Sequence, residues 1–228
     1  MIDKLTYYGH AAWGLETGGY RLLVDPFFNH NPASPVKAEE MTADYILITH
    51  GHGDHIGDTD IIAKNCDPLV ISVAEIAGWL NKQGIRVHGQ HLGGGHQHPF
   101  GYLKLTMALH GSELPDGTYG GNPAGFLLTT KTEKKFYFAG DTGLFGDMRL
   151  IGEEGVDVAV LPIGDNYTMG PDDALRAVKM LTPKVVIPMH YNTWDLIAQD
   201  VGAWAARVEA ETETHVVVLQ PGEALEVE

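Results

Sequence analysis

The sequence predicts an α/β fold in which two β-sheets pack face to face with helices outside them, a four-layer αββα sandwich. Short strand-type segments dominate the first third of the 228 residues, and strands alternate with helices in the last third. Both halves therefore supply strands together with helices that can cover one face of a sheet. No repeat, low-complexity tract or change in composition marks a boundary, so residues 1–228 are predicted to form a single domain.

The first half of the chain is predicted to consist mainly of strands. Six segments carry strand-type residues: 5–8, 11–16, 20–24, 45–48, 69–72 and 85–88. Gly18 and Gly19 are typical of a hairpin turn between two of these strands. Residues 29–40 are expected to form an irregular loop. Helices are predicted over residues 59–65, with Asp58 as the N-cap, and over residues 74–83.

The second half alternates more regularly between the two kinds of element. Strands are predicted over residues 102–109, 126–130, 135–138, 156–161, 185–187 and 215–219, with a turn at 131–134. Helices are predicted over residues 172–181 and 194–209. Pro171 suits the first turn of its helix, because the missing N–H has no partner there in any case.

The charge and the cysteine count exclude several classes of protein. A net charge of −15 leaves no basic stripe for a phosphate backbone or an anionic membrane. Cys66 is the only cysteine, so no intramolecular disulfide can form, and we interpret it as a small buried residue. The N-terminus lacks the pattern of a signal peptide, and no apolar run approaches the roughly 20 residues needed to cross a bilayer. We therefore expect a cytoplasmic protein.

Four candidate metal ligands follow the apolar strand at 45–48 directly. In an extended segment, residues two apart point to the same side, so His50 and His52 can converge on one ion. Asp54 and His55 begin the turn into the next helix and can face a second ion. Any single histidine is more often an ordinary surface residue, but this spacing predicts a metal site. Imidazole and carboxylate together suit zinc, manganese, iron or nickel.

Three further polar residues stand where predicted strands run into loops. His110 ends the strand at 102–109, Asp141 follows the apolar residues 136–138, and His190 follows the strand at 185–187. Functional groups are commonly presented at such strand ends. Taken singly, each is explained equally well as a turn residue or a buried structural residue. Together with the histidine cluster, they indicate a shared site.

The pattern of these seven residues resembles the complete dinuclear ligand set of the metallo-β-lactamase superfamily. Five other segments resemble uncharacterised metal-dependent hydrolases close to ascorbate-6-phosphate lactonase: 8–11, 24–26, 119–125, 139–143 and 187–191. The resemblance covers nearly the whole chain, and it implies the αββα fold. Its ligand motif is highly specific for the fold and only weakly specific for the substrate.

The resemblance also implies how the ligands divide between two divalent ions. It assigns His50, His52 and His110 to the first metal, and Asp54, His55 and His190 to the second, with Asp141 bridging both. Zinc is the expected metal, with manganese, nickel and iron as alternatives. Two such ions bring the pKa of a shared water down toward 7 and so supply hydroxide at neutral pH.

A hydrolase of small ester-like substrates, first of all a lactone, is the function that the resemblance implies. Asp54 and His10 are the candidate catalytic residues. His10 is interpreted either as a substrate contact or proton donor or as an ordinary surface histidine. A cysteine commonly serves the second metal in β-lactamases of the superfamily, and Cys66 matches no such position. Flavodiiron oxidoreductases carry an acid where this chain has His52, so redox chemistry is disfavoured.

Several alternatives stay open. The runner-up activity is a phosphodiesterase, and a mononuclear iron dioxygenase or a non-catalytic binding module are further hypotheses. An RNA nuclease is disfavoured by the acidic charge. The expected partner is a small-molecule substrate, with an anionic group as one option, and neither nucleic acid nor membrane is expected. We expect a homo-oligomer, because lactonase-like relatives often assemble.

The remaining polar residues receive weaker interpretations. Asp25 either orients a ligand histidine or only forms an Asp-Pro turn. The glycine-rich segment 119–125 either brings backbone amides to an anionic group or is a plain loop. Three residues after a strand end are expected to line the pocket: Asp165, Asn166 and Tyr167. Four histidines resemble no ligand pattern and are predicted to lie in an exposed loop: His88, His91, His96 and His98.

Overall fold

A computed structural model describes residues 2–228, which form fourteen strands and six α-helices. The strands are β1 (Asp3–Tyr7), β2 (Trp13–Thr17), β3 (Tyr20–Val24), β4 (Tyr45–Leu47), β5 (Leu69–Val73), β6 (Val87–Gln90), β7 (Gly95–His98), β8 (Gly101–Met107), β9 (Ala124–Thr130), β10 (Lys135–Phe138), β11 (Val158–Pro162), β12 (Val185–Met189), β13 (His215–Val216) and β14 (Ala224–Val227). The helices are α1 (Gly53–Ile56), α2 (Thr59–Cys66), α3 (Ala74–Asn81), α4 (Met148–Gly152), α5 (Pro171–Leu181) and α6 (Val201–Glu211).

The strands form two seven-stranded mixed sheets. The first sheet has the order β14-β1-β2-β3-β4-β5-β6, and the second has the order β13-β12-β11-β10-β9-β8-β7. Strands β3 to β6 pair in parallel in the first sheet, as do β10 to β13 in the second. Helix α3 packs on β5 and β6, while α5 contacts β11 and α6 contacts β13. The predicted four-layer αββα sandwich is confirmed.

Both faces of the central strands are buried, which explains their continuous apolar runs. On β10, Phe136 and Phe138 join the core between the two sheets, whereas Tyr137 joins the core beneath the outer helices. On the neighbouring β11, Val160 and Leu161 divide between the two cores in the same way. The inner core includes residues of both sheets. The prediction of a single domain stays a prediction.

Most predicted elements are present with shifted ends, and several regions differ from expectation. Strands β7 and β14 and helices α1 and α4 were not predicted. The segment 88–98, which was expected to be an exposed loop, carries the C-terminal end of β6 and all of β7. The helix predicted to begin at Trp194 begins at Val201, after a 3₁₀ turn at Asp195–Ile197. Asp200 sets this start, because its side chain accepts a hydrogen bond from the N–H of Ala203 at 2.9 Å.

Three smaller features complete the fold. Asp58 occupies the predicted N-cap position of α2, but its carboxylate accepts hydrogen bonds from the backbone N–H groups of Phe28 and Asn29 instead. Cys66 is half-buried rather than fully buried. Within residues 2–228, no helix is both long enough and apolar enough to span a bilayer.

Candidate metal centre

The seven predicted ligands come together at one edge of the sandwich. His50 follows β4, His110 follows β8, Asp141 follows β10 and His190 follows β12. Strands β8, β10 and β12 run in the same direction within the second sheet. The carboxyl ends of strands that run the same way meet at one edge of a sheet, so the topology itself gathers these side chains.

Three histidine nitrogens form the first group of ligand atoms. His52 Nδ1 lies 3.1 Å from His50 Nε2 and 3.2 Å from His110 Nε2. Tetrahedral ligands at the usual zinc–nitrogen distance lie about 3.3 Å from one another. The three nitrogens thus have the spacing of ligands around one ion.

The second group combines histidines with carboxylates. Asp54 Oδ2 lies 3.9 Å from both His55 Nε2 and His190 Nε2. His10 Nε2 lies 3.1 Å from the same oxygen, so His10 is also within reach of this group. The arrangement offers a second ion a mixture of nitrogen and oxygen donors.

Asp141 lies between the two groups. Its Oδ2 is 3.0 Å from His190 Nε2 and 3.6 Å from His110 Nε2, and its Oδ1 is 3.4 Å from His55 Nε2. One carboxylate therefore faces histidines of both groups. This is the position that a bridging ligand requires.

A buried hydrogen-bond network behind the ligands fixes the orientation of two rings. Asp25 accepts hydrogen bonds from His55 Nδ1 at 2.8 Å, from the Thr49 hydroxyl at 2.6 Å and from the Thr49 N–H at 2.8 Å. Because its hydroxyl hydrogen points to Asp25, Thr49 accepts from His50 Nδ1 at 3.0 Å. Both rings thus donate through Nδ1, so Nε2 is the nitrogen that faces the site and would bind a metal once it is deprotonated. Asp25 lies behind the ligands and does not line the cavity.

His10 is fully buried, which excludes its interpretation as a surface histidine. Its Nδ1 lies 2.8 Å from the Thr193 hydroxyl and its Nε2 contacts Asp54, so both ring nitrogens have partners. Burial lowers the pKa of His10 to about 4. The backbone of His10 is left-handed, with φ of 57°, and so are those of Asp25 (47°) and His190 (54°). The carbonyl of His10 accepts a hydrogen bond from the N–H of His190 at 2.9 Å.

The charges of the site suit a cation. Within residues 2–228, the ion-pair partners of Asp54 and Asp141 are all histidines, with no lysine or arginine among them. Burial acts to lower the pKa of His55, yet the carboxylates of Asp141 and Asp25 raise it well above its usual value. His55 Nε2 and Asp141 Oδ1 are both buried and make no hydrogen bond. These orphaned donors and acceptors fit metal ions, which supply the missing positive charge and partners.

A cavity of about 330 Å³ opens onto the ligands. The residues that line it are His52, Asp54, His110, Asp141, Tyr167, His190 and Trp194. Of the three residues predicted to line the pocket, it includes Tyr167 but neither Asp165 nor Asn166. The segment 119–125 is also absent from the lining. The N–H groups of Gly120 and Ala124 donate to backbone carbonyls of Ser112 and Thr49, so the segment supports the ligand loops.

Three residues of the site have no counterpart in the sequence analysis: Thr49, Thr193 and Trp194. Thr49 directly precedes the first ligand histidine, and this adjacency is the signal that could have identified it. Thr193 and Trp194 follow His190 by three and four residues. Trp194 was predicted to begin a helix, and Thr193 was assigned to no element. Their contacts with His10 depend on how the loop after β12 turns back, which local pattern does not predict.

Comparison with known proteins places this geometry in a family. The family model described as the beta-lactamase superfamily domain matches residues 20–191. This chain belongs to the metallo-β-lactamase superfamily. Within the superfamily it is a member of the UPF0173 metal-dependent hydrolases. It is 49% identical to the member from Pelotomaculum thermopropionicum and 51% identical to that from Desulforamulus reducens, each over 98% of this chain and 100% of the relative.

Solved structures show the same superfamily fold. Igni18, a metallo hydrolase from the hyperthermophilic archaeon Ignicoccus hospitalis, superimposes with a TM-score of 0.92 at 38% identity, covering 100% of this chain and 99% of that one. An isothiocyanate hydrolase from Delia radicum gut bacteria superimposes with a TM-score of 0.76 at 24% identity, covering 97% and 98% of the two chains. The second likeness concerns the fold alone. The predicted family and fold are confirmed.

Proposed function

We propose that this hydrolase opens a small ester-like bond, first of all that of a lactone, with two divalent metal ions held in its centre. The observation that carries the proposal is the position of Asp141. Its two oxygens lie within 3.6 Å of histidine nitrogens from both ligand groups. A carboxylate placed in this way supports a shared, two-ion centre, for which zinc is the first choice on the basis of the nitrogen-rich donor set.

The ligand residues divide the work of binding. His50, His52 and His110 would hold one ion, and Asp54, His55 and His190 the other, with Asp141 shared. When bound, such a pair lowers the pKa of a water toward 7 and stabilises the charge that develops on a carbonyl oxygen. Asp25 and Thr49 keep the Nε2 atoms of His50 and His55 free for this purpose.

Asp54 is the carboxylate best placed to handle a proton. Its side chain is 28% exposed and lines the cavity, whereas that of Asp141 is 3% exposed. Burial acts to raise the pKa of Asp54, but the hydrogen bond from His10 and the charge of His55 hold it below its usual range. Asp54 is therefore ionised at neutral pH and can accept a hydrogen bond from the attacking water and guide its proton to the leaving oxygen. His10 positions Asp54 from behind.

The walls of the cavity favour an uncharged acyl substrate. Tyr167 and Trp194 are 54% and 41% exposed and flank the ligands. None of the described residues that line the cavity is a lysine or an arginine, the side chains that commonly clamp phosphate groups. Aromatic walls stack against an apolar ring or chain instead. A lactone fits these walls better than a phosphodiester does.

An activity screen tests the proposal. Zinc-loaded protein is assayed against a lactone, a phosphodiester and a thioester, and oxygen consumption is followed on an iron-loaded sample. We expect lactone hydrolysis without oxygen consumption. Turnover of the phosphodiester alone would overturn the proposal and identify a phosphodiesterase. Oxygen consumption with one iron per chain would overturn it and identify a dioxygenase. The variant His30→Ala, which removes an exposed histidine outside every ligand group, is the control for nonspecific effects.

A further inference from the structure

Three histidines outside the metal centre also converge. His88 lies on β6, and His96 and His98 lie on β7. Their ring centroids are 4.6 to 5.0 Å apart, and one ring nitrogen from each lies within 4.8 Å of the others. We call this set the edge cluster. None of its members lines the cavity of the metal centre.

The strand geometry explains why these side chains meet. Strands β6 and β7 are the last strands of the first and the second sheet, and residues 91–94 connect them. His96 and His98 are two residues apart on β7, so they share one face of that strand. On the other strand, His88 shares a face with Gln90 in the same way. The edge cluster therefore connects the rims of two sheets whose strands do not pair with each other there.

Two rings of the edge cluster, those of His88 and His98, are held in the neutral form that a metal ligand needs. Burial and the neighbouring histidines lower the pKa of His98 to about 4, and the same effects lower the pKa of His88. Gln90 donates its amide N–H to the carbonyl of Leu103 at 3.3 Å, so its Oε1 faces His98 Nε2 at 3.2 Å. Because an amide oxygen only accepts, this nitrogen carries the ring hydrogen. His98 Nδ1 is thus left with its lone pair.

The surroundings hold the cluster in place without supplying charge. His98 stacks on Phe100 with a centroid distance of 5.1 Å and an interplanar angle of 2°. No ion pair among residues 2–228 involves His88, His96 or His98. The buried member is oriented, whereas His96 is exposed and His88 half-buried. The two outer rings therefore have room to close in on an ion.

We propose that His88, His96 and His98 bind one additional divalent cation of the zinc type, which ties the rims of the two sheets together. Three imidazoles select zinc, nickel or copper over magnesium and calcium, which prefer oxygen ligands. Ligands around zinc lie about 3.3 Å apart, so binding draws the outer rings inward by a short distance. Water completes the coordination on the exposed side. Gln90 serves as the outer partner that orients His98.

Metal counting on matched variants tests the site. Metal-free wild type, His96→Ala and His91→Ala are loaded with zinc, freed of excess by gel filtration and analysed for zinc per chain. His91 is an exposed histidine on the loop between the same two strands and lies outside the cluster, so its variant is the control. We expect His96→Ala to hold one zinc fewer than the other two proteins. An equal zinc content in all three would overturn the proposal.

A second measurement covers the case in which loading is incomplete. Zinc titrations of the three proteins should show that His96→Ala binds the last equivalent at least about 100-fold more weakly, since loss of an outer partner alone costs 10- to 100-fold. Added zinc should also raise the melting temperature of His91→Ala more than that of His96→Ala. Identical titrations would contradict the site. Each readout is a difference between variants, so it does not depend on how many ions the metal centre holds.

Discussion

The metal centre and the edge cluster differ in charge. Both gather at least three histidines, but the centre also includes Asp54 and Asp141, whereas the edge cluster has no carboxylate. Buried carboxylates without lysine or arginine partners require cations, whereas a cluster that contains no carboxylate does not. We infer that metal is needed to complete the centre and is an addition to the edge cluster. Histidine thus binds a required metal in the centre and an additional one in the edge cluster.

The two sites also differ in how their ligands are supported. In the centre, Asp25 and Thr49 orient His55 and His50 through fully buried hydrogen bonds. In the edge cluster, the amide of Gln90 orients one ring only. An ionised partner makes a ligand histidine more basic than a neutral amide does, so tighter binding is expected in the centre.

Replacement of the bridging carboxylate should give the largest effect. In Asp141→Ala, both ligand groups lose a shared oxygen donor, and we expect about two fewer zinc ions per chain. Hydrolysis should fall by about 1,000-fold or more, since metal stabilisation of the transition state is worth several kcal/mol. Zinc analysis and a lactone assay measure both quantities. A variant with unchanged metal content and activity would show that this ligand assignment is wrong.

Removal of the charge behind the ligands should have an intermediate effect. Asp25→Asn keeps the volume of the side chain but replaces one accepting oxygen with an NH₂ group, which faces existing donors. We expect zinc affinity at the centre to fall by about 10- to 100-fold, as measured by competition with a chelator. The edge cluster should keep its ion.

The reciprocal change is Gln90→Met, which removes the amide beside His98. It should weaken zinc binding at the edge cluster by about 10- to 100-fold and leave lactone hydrolysis unchanged. If Asp25→Asn or Gln90→Met weakens zinc binding equally at both sites, the two sites are not independent, and the proposed difference in how their ligands are supported is wrong.

Loss of an aromatic wall should have a smaller effect that is confined to substrate binding. Trp194→Ala is expected to raise KM for a lactone with an apolar side chain by roughly tenfold, because an apolar contact of this size is worth on the order of 1 to 2 kcal/mol. Metal content at both sites should stay the same. Steady-state kinetics with a series of lactones would show the effect, and a KM that does not depend on Trp194 would remove it from the binding surface.

The order in which a chelator extracts zinc is the subtlest expectation. The exposed His96 makes the edge cluster accessible, whereas the Asp141 side chain is 3% exposed. The first zinc released should therefore leave hydrolysis intact, and activity should fall only with later ions. Parallel time courses of released zinc and of activity measure this order. A loss of activity on release of the first zinc ion would show that the metal centre, and not the edge cluster, loses its metal first.

The sequence identified the residues that converge at the centre better than the residues that support them. His50, His110, Asp141 and His190 each follow a predicted strand, so their convergence at a shared edge could be expected from the sequence. The role of Thr49 and the burial of His10 depend on contacts between distant segments. The local sequence pattern does not predict such contacts. Asp25 was left between two interpretations, and its contact with His55 supports the first of them.

The edge cluster shows a different limit. Residues 95–98 contain no β-branched residue and no Phe, Tyr or Trp, so nothing local indicates a strand there. Pairing with β8 alone makes this segment a strand, in the register His96 to Leu103. The convergence of His88 with His96 and His98 follows from that pairing and from the packing of the two sheets. Their prediction as an exposed loop was wrong for this reason.

The left-handed backbone at His10, Asp25 and His190 bears on how this protein could change over time. Such conformations cost a residue with a β-carbon about 1 to 2 kcal/mol, and glycine avoids most of that cost. A chain selected for thermal stability alone would drift toward glycine at these positions. All three side chains contact ligand groups of the centre. A glycine at any of these positions would relieve the backbone at the expense of a group that the centre uses, so a gain in stability there comes with a loss at the site.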